Sequence, residues 1–177
     1  VQALDGTGAY GSVASVFRIS KHEVTVNQYV EFLNSNASDS DPYDLWQGYS
    51  GSIVRTGTAP NYNYGAVAGR GNFPVDYISF HNALRFINWL HNGQVDLATE
   101  TGAYDLTDLA ALAADNISRS PGAQFFLPSE DEWYKAAYYH APGSEYRAYP
   151  AGRNEIPACT DSTSLPNTAN CFSSSRS

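Results

Sequence analysis

Residues 125–140 read FFLPSEDEWYKAAYYH, setting three consecutive acids, Glu130, Asp131 and Glu132, among aromatic pairs and a histidine. Carboxylates beside an imidazole are the groups that general acid–base chemistry uses. The same acids also have structural uses. Ser129 can cap a helix, and Glu132, three positions on, completes a Ser-x-x-Glu capping box. Glu130 and Asp131 then meet the positive end of the helix dipole, worth about 0.3 to 1 kcal/mol each. Trp133, Ala136, Ala137 and His140 define a face whose small residues would let a neighbour approach. The cluster therefore reads as a helix start.

The other reactive side chains sort in the same way. His22-Glu23 begins the zinc-protease pattern H-E-x-x-H, but Val26 stands where the second histidine is needed. Asp39, Asp41 and Asp44 are hard oxygen donors of the type calcium takes, without the glycine and distal glutamate of an EF-hand loop. A solvated acidic turn is the simpler reading. Gly65, Gly69 and Gly71 lack dinucleotide-loop spacing and serve turns, and Ser50 lacks the flanking glycine of a nucleophile elbow. His81 and His91, ten apart, do not share a helix face and read as polar surface residues. Cys159 and Cys171 bracket a Pro/Thr/Ser/Asn-rich stretch and could close a disulfide loop worth about 3 kcal/mol. Neither has the histidine or C-x-x-C neighbour of a thiol metal site. Two N-x-S/T sequons, at Asn36 and Asn116, are candidate glycosylation sites.

A chain of 177 residues suits one domain with a substantial core. Its 10 Lys plus Arg against 18 Asp plus Glu give a net charge of -8, which repels phosphate backbones and anionic membranes. Nucleic acid is thus excluded as a partner. No stretch approaches the ~20 apolar residues of a membrane-spanning helix. There is no methionine, even at position 1. A removed leader or a trimmed chain explains this, and the acidic, low-lysine composition predicts export to the cell surface or beyond.

The elements that must position these groups are few. SVFRISKHEVT alternates in the period-two manner of a strand. From Thr25, with Gln28 completing a capping box, Val26, Tyr29, Val30 and Leu33 fall at helical spacing. Residues 36–74 form a long loop-rich insertion with one β-like run at residues 52–56. Residues 75–78 read as extended and Ser79 as an N-cap. Phe80, Ala83, Leu84, Ile87 and Leu90, with Phe86 and Trp89, then make the apolar stripe of a helix closed by Asn92-Gly93. Beyond it, DLAALAAD predicts a short helical turn and ISRSPGAQFFL a strand, and the chain from about Pro142 is turn-rich. Three helices and scattered short strands define an α+β class.

The order RISKHEVTVNQYVEFLN, PVDYISFHNALRFINWLH, FFLPSEDEWYKAAYY resembles the formylglycine-generating-enzyme (sulfatase-modifying factor) domain family, in particular its exported bacterial versions. The resemblance runs from about Val16 to Asn170 and implies a single domain, 1–177, with an irregular C-type-lectin-like fold. The family's oxidases convert a protein cysteine to formylglycine with copper held by a C-terminal cysteine pair, beyond Gly-Asn-x-Trp-Glu-Trp and Arg-Gly-Gly-Ser blocks. Neither block occurs here, so the resemblance implies a domain truncated at its C-terminus relative to the family. Calcium is a possible cofactor, because Asn170 in NTAN resembles one of the family's ligands. Copper is expected only if the chain is part of such an oxidase.

Two functions follow as expectations. In the preferred one the chain is an exported, non-catalytic binding or self-assembling domain. The aromatic loops, with Tyr43, Trp46, Tyr49, Tyr62 and Tyr64, then contact a protein or glycan, or a second copy of the chain. These rings could equally cover their own loop. In the alternative, the chain is part of the copper-dependent oxidase.

Overall fold

The computed structural model describes residues 10–96, 98–150, 154–160 and 165–169. The chain falls into two compact units, Ser20–Leu127 and a second made of Val1–Ile19 with Pro128–Ser177.

The larger unit is built on two helices. α1, Val26–Asn36, starts at the expected capping box, with Thr25 and Gln28 satisfying each other's backbone N–H groups. Its inward positions Val26, Tyr29, Phe32 and Leu33 are fully buried. α2, Phe80–His91, is capped by Ser79 and ends at Asn92, followed by Gly93 at φ 78°. Phe32 packs edge-on to Phe86 and tilted to Trp89, so the two helices share an aromatic core. Between them, β1 (Ile53–Thr56) pairs antiparallel with β2 (Asn63–Ala66). The segment 36–74 thus supplies Ala37, Leu45, Ile53 and Tyr64 to the core. Asn34 of α1 clasps Tyr64 from both sides of its peptide, accepting from its N–H at 2.8 Å and donating to its carbonyl at 2.9 Å. The expected helical turn is α3, Leu109–Ala113, capped by Asp108.

The apolar stripe describes only half of α2. Phe80 is exposed, whereas Asn82, Arg85 and Asn88 are buried. Their partners are loop backbone and loop carboxylate. Asn82 Nδ2 donates to the Asp44 carbonyl at 2.9 Å, and Arg85 reaches both carboxylate oxygens of Glu100 at 2.8 and 3.2 Å. Asn88, 0% exposed, donates to the carbonyls of Thr99 and Tyr104 at 2.7 and 2.9 Å and accepts from the Tyr104 N–H at 2.8 Å. Asn92 Nδ2 adds the carbonyls of Ala98 and Thr101. Gly102, at φ 146°, lets the loop lie against these amides, because a Cβ there would stand 2.9 Å from Asn92 Oδ1. An irregular segment next to a core must satisfy its backbone somehow, and here helix side chains do it.

Two expected strands are corrected. Residues 15–24 form no strand, and Val16 in their alternating run is 99% exposed. Only Thr25 makes an isolated bridge, to Pro74, next to a Val75 N–H to Val24 carbonyl bond. Residues 117–127 likewise give a single bridge, Arg119 to Tyr104. Alternation alone is insufficient where no adjacent strand accepts the ladder.

In the smaller unit, α4 (Glu130–Tyr138) begins at the Ser129–Glu132 capping box. β3 (Tyr139–His140) pairs antiparallel with β4 (Glu145–Tyr146) across a short 3-10 turn, Ala141–Gly143. β5 (Ala158–Cys159) and β6 (Thr168–Ala169) pair in parallel. Trp133 of α4 is half exposed and meets Tyr138 edge-on at 6.0 Å, while Tyr134 stacks on Tyr138 at 4.7 Å and meets Tyr10 and Tyr146.

Replacing Asn88 with Ala leaves one buried N–H and two carbonyls without partners. Each orphan costs about 1 to 3 kcal/mol. The expected outcome is a destabilisation of at least about 2 kcal/mol in urea unfolding, against less than about 0.5 kcal/mol for exposed Asn116→Ala. Equal midpoints for the two variants would show that the amide is dispensable.

Candidate functional site

The loop following α1 is shaped by one carboxylate. Asp41 Oδ1 accepts from the Leu45 N–H at 2.7 Å and Oδ2 from the Trp46 N–H at 3.0 Å. This turn drives Leu45 into the core and leaves Trp46 half-buried. Asp44 sits at φ 50°, and Asn82 holds its carbonyl. Asp41 and Asp44 are thus structural, and Asp39 is exposed.

The five aromatics of this region go to different places. Tyr64 is 2% exposed, with its hydroxyl donating to the Ala37 carbonyl at 3.2 Å, and it offers no contact surface. Trp46 and Tyr62 lie against the Arg55 guanidinium, at 4.2 and 4.4 Å. Tyr43 carries the Arg85 guanidinium at 4.1 Å and lines a cavity of about 160 Å³ with Asn36, Leu45 and Thr99. Only Tyr49 projects well into solvent, 75% exposed, and its ring pairs with that of Tyr77 at 6.3 Å.

Tyr77 is the residue the sequence did not reveal. It is 62% exposed and holds φ at 56°, a left-handed conformation seldom taken by a bulky side chain. Ser50 Oγ donates to Asp76 Oδ1 at 2.6 Å, tying the Tyr49 loop to the Tyr77 loop. Beside the two rings runs a shallow groove lined by Trp46, Gln47, Ser50, Asp76, Tyr77 and Ile78. Its enclosed space is about 10 Å³, roughly enough for one water. The Trp46 Nε1 donor is buried and has no partner among the described residues. Arg55 and Asp76 were also missed, since only the folded loops bring them to the rings.

Burial raises three phenol pKa values. Tyr29, whose hydroxyl donates to the Leu45 carbonyl, is raised most, by desolvation and then by the Asp41 charge. Tyr64 is raised by desolvation, partly offset by its hydrogen bond with Arg55. Tyr146 is raised by desolvation and then by neighbouring Tyr139 and Tyr134.

Two of the three acids of the opening cluster are occupied, and the third, Glu130, is exposed in the first turn of α4. Glu132 caps α4 at Ser129, with an N–H to Oε2 distance of 2.8 Å, and Asp131 Oδ1 accepts from the Gly11 N–H at 2.8 Å. Gly11 is required there, as a Cβ would meet the Tyr146 hydroxyl at 2.3 Å. Lys135 donates to the Val13 carbonyl. His140 Nδ1 faces Gly143 N–H at 3.2 Å and Arg147 Nη2 at 3.1 Å, while His81 bonds Asp115 at 2.9 Å and His91 accepts from Gln124 N–H. Asn36, expected as a sequon, is buried at the end of α1 with its amide donating to the Phe32 carbonyl. That geometry does not fit an attached glycan. Asn116 is exposed. Cys159 lies on exposed β5, and Asn170 and Cys171 lie outside the described residues. Among the described residues no group of three or more His, Cys, Asp or Glu side chains could hold a metal ion. No helix among the described residues is long and apolar enough to cross a membrane.

The arrangement of capped helices, short paired strands and long ordered loops is an α+β fold of the kind the three sequence blocks imply. The family described as the sulfatase-modifying factor enzyme 1-like domain matches residues 10–175, and the chain belongs to it. No curated protein and no solved structure matches the chain.

The raised phenols give a signed pH dependence. A free tyrosine ionises near pH 10, so the unfolded chain loses these protons before the folded one. Their contribution to stability is whole below about pH 10 and is lost as pH rises above it. The tyrosinate absorbance of the folded chain should lag that of the urea-unfolded chain, and Tyr29→Phe should reduce the lag. Superimposed titration curves would contradict the burial of these hydroxyls.

Proposed function

We propose that the chain is a secreted or cell-surface, non-catalytic recognition domain of the sulfatase-modifying factor family. The observation that carries this reading is the Tyr49–Tyr77 pair. Two adjacent tyrosines are held largely in solvent by a Ser50–Asp76 link instead of being folded into the core. Large rings with polar tips suit contact surfaces, because they bring apolar area at small entropic cost. Two of the acids that first suggested catalysis, Glu132 and Asp131, are engaged in capping α4 and in holding the Gly11 backbone. Self-association through the same rings is a variant of this reading. A disulfide between Cys159 and Cys171 belongs with it, as expected for an exported domain.

The alternative is the oxidase chemistry of the family, with copper and free thiols. Incubation with a Cys-x-Pro-x-Arg peptide and copper, followed by mass spectrometry, separates the two. The expected result is an unchanged peptide and no thiol titratable in the unfolded, unreduced chain. Conversion of the peptide cysteine to an aldehyde would overturn the recognition reading.

A further inference from the structure

The groove beside Tyr49 and Tyr77 points to a class of ligand, and this step rests on the recognition reading above. Three features constrain the occupant. The first is depth. With enclosed space of about 10 Å³, the groove admits no protein side chain as an anchor, so whatever binds lies across the rings. The second is conformation. Tyr77 at φ 56° occupies a position that glycine or asparagine would fill with less strain. At 62% exposure its ring recovers little burial in return. The third is polarity. Gln47 offers an amide and Asp76 a carboxylate fixed by Ser50.

Two exposed rings, tilted 42° to each other and bordered by a fixed carboxylate and an amide, match a molecule with an apolar face and a hydroxylated rim. We infer that the groove binds a neutral sugar ring, with its C–H face on Tyr77 or Tyr49 and its hydroxyls toward Asp76 and Gln47. A protein partner is less well matched, since protein hot spots centre on aromatics buried in fitted pockets and keep charge out of the interface core. Asp76 and the net charge of -8 set the surface against acidic polysaccharides.

Native electrophoresis through gels containing soluble neutral polysaccharides (xyloglucan, galactomannan, a β-1,3-glucan) or acidic alginate tests this. The whole chain should be retarded by at least one neutral gel and not by alginate. Tyr49→Ala and Tyr77→Gly should each weaken retardation by about tenfold, the scale of a stacking contact of about 1.4 kcal/mol. Tyr77→Gly removes the ring while relaxing the backbone, so loss of binding there is not loss of folding. Retardation by none of the neutral gels, or equal retardation of wild type and both variants, would overturn the assignment. So would concentration-dependent sedimentation abolished by Tyr77→Gly, which would give the groove to a second copy of the chain. None of these outcomes changes the peptide, so failure of the sugar assignment is distinct from failure of the non-catalytic reading.

Discussion

The larger unit depends on amide and guanidinium groups along one edge of α2 and at its C-cap, buried at Asn82, Arg85 and Asn88 and partly buried at Asn92. Asn82, Arg85, Asn88 and Asn92 follow one another at helical intervals of three and four, and each terminates in a loop. Between them they hold the segment 98–104 and the turn at Asp44. A loop beside a core would otherwise bury backbone carbonyls without partners, at about 1 to 3 kcal/mol each. The helix thus replaces the neighbouring strand that a sheet would provide. This explains how a unit with a single two-stranded sheet among its described residues can keep an ordered interior.

The same interactions reach the candidate site through a short chain of contacts. Asn82 fixes the Asp44 carbonyl, and Asp41 turns the chain so that Leu45 anchors it and Trp46 comes to the edge of the groove. From there the chain runs out to Tyr49, and Ser50 ties it to Asp76 beside Tyr77. Recognition by loops requires that they be held by something rigid. Here α2 holds one side of the groove through the Asn82–Asp44 bond, and Ser79 and Ile78 lead from its N-terminus into the other.

What could be read from the sequence is local. The three N-caps and both capping boxes involve residues three apart, and their chemistry is written in adjacent letters: Thr25 with Gln28, Ser129 with Glu132. The helices they start were therefore legible. The polar edge of α2 was not, because a buried asparagine is spelled like an exposed one until its partner, here the Tyr104 backbone, is known. The strands predicted from alternation failed for a related reason: a strand needs a continuous ladder, and residues 15–24 make only the single Val24–Val75 backbone bond to a neighbouring segment among the described residues. At the site, Tyr49 was identified by its type, but Tyr77 depends on a backbone angle that its neighbours in sequence do not signal. Tyr64, of the same type, proved to be core.

Native-state amide hydrogen exchange tests the central claim, that helix side chains give an irregular segment the stability of a core element. The N–H groups of Tyr104 and Leu106, bonded to Asn88 Oδ1 and the Glu100 carbonyl, should exchange only with global unfolding, as slowly as those of α2. Exchange of these two amides at the rate of an exposed loop, with α2 still protected, would contradict it.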